Sequence, residues 1–280
     1  ADTTALLQGD EVVTYREFHD RALAIGGNLL AAGCQPGDRV AFCLTNSPRI
    51  MELIFGCFAA GLVVVPVNAR LHAREMAYIV GNSGAKILVH GAEFQEGIQA
   101  NAELFEGVTR YCTEAVDGAV LFSALVSPVH ALQAAADTSP EDICWLFYTS
   151  GTTGKPKGAL GSHRNLLTNG LSSAYSGAAT VLRRGDALPE PSIRASLLVI
   201  PMFHVTACSA SMMPTIQAGH KIVLLHKWDT VKAFEIIERE KINATGGVPF
   251  IAWQLIEHPD RAKYDLSSID AISYGGAPSA

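Results

Sequence analysis

Short apolar runs alternate with amphipathic, helix-like segments along almost the whole chain. The runs are four to seven residues long and rich in Val, Ile and Leu, which is typical of strands buried on both faces of a sheet. The strand candidates are residues 40–44, 63–67, 86–90, 143–149, 196–200, 221–225 and 271–274. Because strands and helices take turns, the pattern predicts an α/β fold of the doubly wound type, with helices on both faces of parallel-rich sheets.

Several of the predicted helices have recognisable first residues. Thr14 followed three residues later by Glu17 is the pattern of a capping box, in which each residue bonds the backbone N–H of the other. Ser47 precedes Pro48, a residue favoured in the first turn of a helix, and Asp229 precedes a run with helical spacing of Ile and Glu. We therefore expect helices to begin near residues 15, 48 and 230.

The longest uncharged apolar run, residues 53–67, is too short to cross a membrane. It is interrupted by Pro66 and falls short of the roughly 18 residues that a span requires. We interpret it as a buried helix that leads into a buried strand and expect no integral membrane segment. Residues 183–193, RRGDALPEPSI, contain two prolines and mixed charge, which predicts a surface connection.

Composition restricts the class of protein. The 280 residues include 21 Lys and Arg against 27 Asp and Glu, for a net charge of −6, so bulk charge does not favour nucleic-acid binding. Apolar residues make up 49% and charged residues 17%, below the roughly 25% charged residues of an average domain. A large buried fraction is therefore expected, which excludes disordered and fibrous classes.

The cysteines and the chain ends bear on the compartment. The cysteines are widely spaced and form no C-x-x-C pair: Cys34, Cys43, Cys57, Cys112, Cys144 and Cys208. We expect buried free thiols in a cytoplasmic protein, since the first residues also lack the pattern of a signal peptide. The sequence begins without Met and stops at a Gly-Gly-Ala-Pro turn, so we expect both ends to be cut.

A loop rich in Gly, Ser and Thr follows the strand candidate at residues 143–149. Its residues are Thr149, Ser150, Gly151, Thr152, Thr153, Gly154, Lys155, Pro156, Lys157 and Gly158, and a helix capped near Ser162 is expected after it. Unobstructed N–H groups, hydroxyls and two lysines are suited to holding phosphate. Residues 143–185 contain no Asp or Glu but include Lys155, Lys157, Arg164, Arg183 and Arg184, which favours an anionic ligand.

Other phosphate-binding patterns do not fit this loop. A nucleotide-binding P-loop has four residues between its glycines and a Ser or Thr after the Lys, whereas here two residues separate Gly151 from Gly154 and Pro156 follows Lys155. No G-x-G-x-x-G follows a strand, and no G-x-S-x-G of a serine hydrolase occurs. The plain alternative is a flexible surface loop. It is disfavoured because so many hydroxyls, glycines and lysines follow directly after a buried strand.

The segment YTSGTTGKPKG resembles the signature loop of the adenylate-forming superfamily, which includes acyl-CoA synthetases, beetle luciferases and adenylation domains of peptide synthetases. Further similar segments occur in the expected order: VTYREFHDRA, GDRVAFCLTNSPRIMELIFGCFAAGLVVVPVNARL, PMFHVTA, ATGGVPF and YGGAPSA. The resemblance spans nearly the whole chain and points to the acyl-CoA synthetase branch. It implies the N-terminal domain of such an enzyme, with two parallel-rich lobes packed face to face and the nucleotide in the cleft between them.

The resemblance also implies cofactors and roles. ATP, Mg²⁺ and CoA as co-substrate are expected, with a carboxylate attacking the α-phosphorus of ATP and a CoA thiol then displacing AMP. The expected nucleotide-binding residues are Thr149, Ser150, Gly151, Thr152, Thr153, Gly154, Lys155, Lys157, Gly275, Gly276, Ala277 and Pro278, with Thr152 also at the metal. His204 is the expected catalytic residue at the aromatic and histidine gate beside the carboxylate. His163 is expected to be a surface or capping residue.

The acid site implied by the resemblance consists of Phe203, His204, Gly246, Gly247, Val248 and Gly275. Members that activate amino acids have an Asp directly after the residue that Phe203 matches, and this chain has His204 there. An ammonium without a counter-charge in such a pocket would cost several kcal/mol, which disfavours an amino-acid substrate. Small residues around the site leave room for a chain or ring, and a fatty acid is favoured over an aryl acid. For Gly246, Gly247 and Val248, a tight strand end is an equally good interpretation.

Alternatives remain open at this point. An acyl-AMP ligase that does not use CoA is the nearest one, and a noncatalytic nucleotide-binding module belongs to another class. Within the domain, residues 1–35 with 195–280 are expected to form one lobe and residues 36–194 the other. Family members continue beyond this sequence with a magnesium-organising Glu, a ribose-binding Asp and a C-terminal domain that carries a lysine. The 280-residue piece alone is therefore expected to have at most residual turnover.

Overall fold

The strands of the chain form two sheets, connected and covered by helices. The computed structural model describes residues 2–149, 154–187 and 192–275. Its strands are β1 (Thr4–Gln8), β2 (Glu11–Thr14), β3 (Arg39–Cys43), β4 (Val63–Pro66), β5 (Ala85–His90), β6 (Thr109–Cys112), β7 (Val120–Leu121), β8 (Ile143–Thr149), β9 (Lys157–Ser162), β10 (Ala195–Leu198), β11 (Lys221–Leu224), β12 (Ala244–Gly247) and β13 (Ala271–Tyr274). Its helices are α1 (Tyr15–Ala31), α2 (Pro48–Ala59), α3 (Ala73–Ser83), α4 (Gln95–Gln99), α5 (His163–Arg183), α6 (Met213–Gln217), α7 (Thr230–Glu240) and α8 (Pro249–Glu257), with a π-helix at Thr206–Met212.

Each sheet is parallel except for one strand pair. The first sheet has the order β13-β12-β10-β11-β1-β2, and the second has the order β7-β6-β5-β3-β4-β8-β9. The antiparallel pairs are β1 with β2 and β8 with β9. Strands near the start of the chain and those from residue 195 onward build the first sheet, whereas residues 39–162 supply the second.

The strands and helix starts expected from the sequence are present. All seven strand candidates correspond to observed strands whose ends differ by at most two residues. Thr14 and Glu17 form the capping box of α1, with the side chain of each bonding the backbone N–H of the other. Asp229 caps α7 by accepting from the backbone N–H of Lys232, while Ser47 precedes α2 without a side-chain cap bond. The doubly wound α/β prediction is confirmed.

Helices α1 and α2 lie in a layer shared by the two sheets. The largest apolar cluster joins β1, β10 and β11 of the first sheet to β3, β5 and β8 of the second through these helices. Gly26 of α1 and Gly56 of α2 allow the close approach, because a Cβ on Gly26 would stand 2.7 Å from the Gly56 carbonyl oxygen. The outer face of the second sheet packs on α3, and that of the first sheet packs on α7 and α8. The result is two sheets with helices between and outside them.

Some features differ from the sequence-based expectation. Six strands are not among the strand candidates: β1, β2, β6, β7, β9 and β12. For β12, however, a tight strand end was one of the two interpretations of the segment from Gly246 to Val248. Helix α5 continues to Arg183, so the expected surface connection at 183–193 begins later than its composition indicated, and its residues 188–191 lie outside the described residues. Strand β9 occupies the interval between the glycine-rich loop and the helix cap at Ser162, where the sequence indicated only a loop.

Two predictions about burial are confirmed. The run at residues 53–67 forms the end of α2 and then β4, and both are largely buried. All six cysteines are free thiols and all six are buried. In the described residues, every helix is too short or too polar to cross a bilayer.

Candidate active site

A cavity of about 1020 Å³ opens at the carboxyl ends of β10, β12 and β13. Six residues expected to form the acid site line it: Phe203, His204, Gly246, Gly247, Val248 and Gly275. Asn68 and Arg70, on the segment that follows β4 of the second sheet, also line it. The cavity is therefore built by both sheets, at the edge where ligands of parallel α/β sheets bind.

The glycines that line the cavity differ in what a side chain at each position would contact. A Cβ on Gly246 would stand 2.6 Å from the carbonyl oxygen of Ser273 in the neighbouring strand, so close strand packing requires glycine there. A Cβ on Gly247 would contact the side chain of Ile251 at 2.5 Å. No described atom lies within 4 Å of a Cβ on Gly275, which leaves its backbone accessible from the cavity. Gly246 and Gly247 therefore fit the interpretation of a tight strand end, and both also line the cavity.

Phe203 and His204 stand between the end of β10 and the π-helix. Their ring centroids are 4.5 Å apart, and the backbone N–H of His204 closes a turn on the carbonyl of Pro201 at 3.0 Å. Partial burial and the nearby guanidinium of Arg70 hold the pKa of His204 below its ordinary value. A neutral imidazole at neutral pH can donate one hydrogen bond and accept another. π-helical turns are frequent at functional sites, and this one turns Thr206 and Ala210 toward the cavity.

The cavity wall contains basic side chains. Arg70, His226 and Lys227 line the cavity, and its described lining residues include no Asp or Glu. The sequence analysis did not single out these three residues, nor Trp228 beside them. The segment NARL directly after a buried strand was an available signal for Arg70, whereas the contribution of Lys227 depends on the folding of β11 against β10. A carboxylate is electrostatically favoured in this cavity and an ammonium disfavoured.

The glycine-rich loop leaves the second sheet at the carboxyl end of β8. Its flanks, Thr149 at the end of β8 and Lys157 at the start of β9, are register partners. Because β8 runs parallel to β4, Thr149 leaves the sheet at the end from which Asn68 and Arg70 reach the cavity. Among the described residues, Thr149, Gly154, Lys155 and Lys157 do not line the cavity itself. Ser150, Gly151, Thr152, Thr153, Gly276, Ala277 and Pro278 were also expected to bind the nucleotide and lie outside the described residues.

Helix α3 holds both sides of this loop. The Lys155 ammonium stands over the Tyr78 ring, 5.6 Å from its centroid, and the Tyr78 hydroxyl donates to the Pro156 carbonyl at 3.3 Å. On the other side, the Tyr148 hydroxyl donates to Asn82 Oδ1 at 2.7 Å. Gly154 has φ of +94°, in the left-handed region that favours glycine. The described flanks of the loop are thus fixed by a helix that the motif itself did not reveal.

The cations of the acid-free stretch are dispersed in the fold. Arg164 pairs with Glu141, which neutralises it. Arg183 and Arg184 lie at the far end of the 21-residue helix α5, about 30 Å from its start. Lys155 and Lys157 are therefore the cations of that stretch that remain beside the loop, so the local positive potential is smaller than the sequence count indicated.

His163 is the first residue of α5, with its ring edge-on to Phe58 at 5.5 Å between centroids. Burial lowers its pKa. In the part of the chain that the structure describes, no cluster of three or more His, Cys, Asp or Glu side chains could hold a metal ion.

Comparison with known proteins identifies the family. The sequence profile of the family described as AMP-binding enzyme matches residues 1–280. The chain is 33% identical to a feruloyl-CoA synthase of Amycolatopsis sp, covering 98% of this chain and 51% of that protein. It is 31% identical to the long-chain-fatty-acid–CoA ligase FadD13 of Mycobacterium tuberculosis, covering 96% and 51%.

A solved structure has the same architecture. ATP-bound MatB of Rhodopseudomonas palustris superimposes with a TM-score of 0.83 at 26% identity, covering 99% of this chain and 52% of that one. The chain spans about half the length of the relatives it matches. The match of the profile to the whole sequence, together with the two-sheet fold, shows that this chain belongs to the AMP-binding enzyme family.

Proposed function

We propose that this chain supplies the nucleotide- and acid-binding part of an ATP-dependent carboxylic acid–CoA ligase. In the first step a carboxylate oxygen attacks the α-phosphorus of ATP, the bond to the bridging oxygen breaks, and pyrophosphate leaves. In the second step the sulfur of the CoA thiolate attacks the acyl carbon and AMP leaves. Such phosphate chemistry depends on positioning and on charge stabilisation rather than on a protein nucleophile.

One observation carries this proposal: a large cavity with basic residues and no described carboxylate is lined by Arg70, and the glycine-rich loop leaves the second sheet at the same strand end as the segment of Arg70. Arg70 and Lys227 favour entry of an acid as its carboxylate. His204, kept neutral by its lowered pKa, can donate a hydrogen bond to a carboxylate oxygen without forming an ion pair that would reduce its nucleophilicity. His204 is therefore the proposed catalytic residue, with Phe203 orienting its ring.

For the nucleotide, the proposed phosphate contacts come from the loop between Thr149 and Lys157, with Lys155 and Lys157 balancing negative charge. Gly275, with the Gly276–Pro278 segment, is the proposed wall of the adenosine part. We propose that Mg²⁺ enters the site together with ATP, as the MgATP substrate. Mg²⁺ commonly binds through substrate phosphates, and Thr152 is proposed as its contact from the protein.

The proposed acid is a non-amino carboxylic acid, with a fatty acid favoured. Relatives named for a long-chain fatty acid and for ferulate are 31% and 33% identical to this chain, so an aryl acid is the second candidate. Small or apolar residues such as Ala210 and Gly246 contribute to a cavity of about 1020 Å³, which has room for either class. For the organisation of the domain, we propose residues 1–35 with 195–280 as one lobe and 36–194 as the other, as the two sheets suggest.

Acid-dependent ATP–pyrophosphate exchange tests the proposal. It is measured on this chain and on the longer polypeptide that contains it, with a panel of fatty acids of graded length, cinnamic-type acids and amino acids. Exchange with fatty acids supports the favoured substrate, and exchange confined to the aromatic acids selects the second candidate. Thiol consumption in step with AMP release identifies a CoA ligase, whereas exchange without it identifies an acyl-AMP ligase. Nucleotide binding with no exchange in the longer polypeptide would indicate a noncatalytic module and refute the proposal.

Variants separate the loop lysines from other cations of the same stretch. Lys155→Gln and Lys157→Gln are expected to weaken ATP binding in calorimetric titrations, since each removes a charge beside the proposed phosphates. Arg164→Gln is the matched control, because Glu141 already neutralises that guanidinium. If Arg164→Gln weakened ATP binding as much as the lysine variants, general surface charge rather than the loop would be responsible.

A further inference from the structure

Asn46 is a buried polar residue between β3 and α2 whose side chain reaches across to the other sheet. Its residue surface is 7% exposed. Its Nδ2 donates to the carbonyl oxygen of Ile200 at 2.9 Å, and its Oδ1 accepts from the backbone N–H of Met202 at 2.9 Å. The sequence separations of these bonds are 154 and 156 residues, so they form only once the two sheets have come together. Asn46 is therefore a tertiary connection at the carboxyl ends of both sheets.

The geometry of this contact fixes a backbone segment rather than a side chain. One amide group bonds the C=O of one residue and the N–H of the residue two positions later, which is the pattern that a neighbouring strand offers. Strand β10 has already ended at Leu198, so Asn46 extends its pairing beyond the sheet. The next residues after Met202 are Phe203 and His204, which line the cavity.

Further bonds hold both partners of this contact. The Gln8 amide donates to the backbone carbonyl of Asn46 at 2.9 Å, which connects the loop between β3 and α2 to β1. The Cys208 thiol, inside the π-helix, donates to the carbonyl of Met202 at 3.1 Å. Met202 and Cys208 are fully buried. The segment before His204 is thus hydrogen-bonded by Asn46, in the loop between β3 and α2, and by Cys208 of the π-helix.

We propose that Asn46 is a positioning residue for the acid site: it sets where Phe203 and His204 stand in the cavity. This inference rests on the proposed function for its catalytic consequence, but the contact with the backbone does not depend on it. Only a short primary amide suits the position, because Asp cannot donate to the Ile200 carbonyl when ionised and Leu can make neither bond. Neither the glycine-rich loop nor the segment PMFHV indicates this role.

The test compares two variants of Asn46 with a matched control. Asn46→Asp keeps the shape and the bond from Met202 but loses the donor, and Asn46→Leu loses both bonds. The control is Asn28→Asp, because Asn28 also joins distant backbone in the shared helix layer, with its Nδ2 within 2.7–2.9 Å of the carbonyls of Ala24, Leu125 and Ser127. Asn28 does not line the cavity. A purely structural loss should therefore affect both sites alike.

The first measurement is steady-state kinetics on the longer polypeptide, with acid and ATP varied separately. We expect kcat/KM for the acid to fall about 10- to 100-fold in both Asn46 variants, since a displacement of about 1 Å at a reacting group has effects of this size. The KM for ATP should change less than about twofold, because a displaced acid-site wall does not alter contacts with the phosphates. Asn28→Asp should leave both constants near those of the unaltered protein.

The second measurement needs no turnover and therefore separates this inference from the proposed function. The ring signals of ¹³C-labelled His204, assigned with His204→Gln, are recorded by NMR in the 280-residue chain at one pH. We expect them to shift in Asn46→Asp and to stay unchanged in Asn28→Asp. Unchanged His204 signals in both Asn46 variants, or equal losses of acid kcat/KM in Asn46→Asp and Asn28→Asp, would overturn the proposal. If Asn46→Leu does not fold, the isosteric Asn46→Asp decides alone. Absence of exchange in the unaltered protein would refute the ligase function while the NMR comparison still decided the positioning role.

Discussion

The ion pair of Arg21 and Glu52 joins α1 to α2 in the shared helix layer, and its removal should destabilise the protein in a pH-dependent way. The Arg21 Nη1 and Glu52 Oε1 atoms are 2.8 Å apart, and the Glu52 side chain is 2% exposed while that of Arg21 is 36% exposed. Burial raises the pKa of Glu52 above its ordinary value of 4.5, although the bond from Arg21 opposes this shift. Arg21→Met would leave the carboxyl buried without its partner.

The magnitude is limited by protonation of that carboxyl. At pH 7, which is 2.5 pH units above 4.5, neutralising the group costs about 3.4 kcal/mol, since each unit is worth about 1.36 kcal/mol. Part of this cost is already present in the unaltered protein, because the pKa of Glu52 is raised there too. We therefore expect Arg21→Met to lower the free energy of unfolding by about 2 kcal/mol at pH 7 and by less than about 0.7 kcal/mol at pH 5.

The sign follows from proton linkage. A carboxyl whose pKa is higher in the folded state binds more protons there, so its favourable contribution is complete below pH 4.5 and is lost as the pH rises through the folded-state pKa. Removing Arg21 raises that folded-state pKa further, which extends the loss to higher pH. The destabilisation must therefore grow from pH 5 to pH 7.

Urea unfolding at the two pH values measures this effect, with Arg16→Met as the control. Arg16 lies on the same helix and pairs with Asp2 at 3.3 Å, but the two side chains are 65% and 88% exposed. Its replacement should change the free energy of unfolding by no more than about 0.5 kcal/mol at either pH. Equal losses at pH 5 and pH 7 for Arg21→Met, or a loss as small as that of the control, would refute the argument.

Three further predictions concern the site. Tyr78→Leu should raise the KM for ATP about 2- to 5-fold by releasing the ammonium of Lys155, whereas Tyr78→Phe keeps the ring and should have the smaller effect; identical kinetics for the two would contradict a role of the ring. Gly246→Ala should lower stability by about 1–3 kcal/mol, because its Cβ would meet a backbone oxygen at 2.6 Å, and an unchanged unfolding midpoint would count against the close strand contact. Arg70→Gln should raise the pKa of His204, followed by NMR titration of the ring, since it removes a nearby positive charge; a pKa that stayed the same would show that burial alone lowers it.

The main strands and helix starts could be predicted because local pattern decides them. The runs at 143–149 and 271–274 form strands with the predicted bounds, and the Thr14 and Glu17 capping box is formed within four residues of chain. Strand β12 has no apolar run of this kind. Strand β12, with the sequence ATGG, has two glycines and is a strand only because β10 and β13 pair with it on either side.

The candidate site divides in the same way. Its residue types could be predicted from contiguous motifs: the Thr149–Lys157 loop, Phe203 with His204, and the glycines before Val248. Their grouping, except for the residues outside the described part of the chain, was decided by the packing of one sheet against the other. Because the sheets pack together, Arg70 lines the cavity, and Asn46 bonds the backbone of Ile200, which is 154 residues away in the sequence.

Short-range chemistry therefore determined the seven predicted strands, the helix starts near residues 15, 48 and 230, and a loop suited to phosphate, because those properties depend on neighbours within a few residues. Only the tertiary structure decided which cations lie beside the loop. Arg164 forms an ion pair with Glu141, and Arg183 lies about 30 Å away from the start of α5, at its other end. A charge acts on a ligand through distance and desolvation, and both are set when the two sheets close on their shared helices.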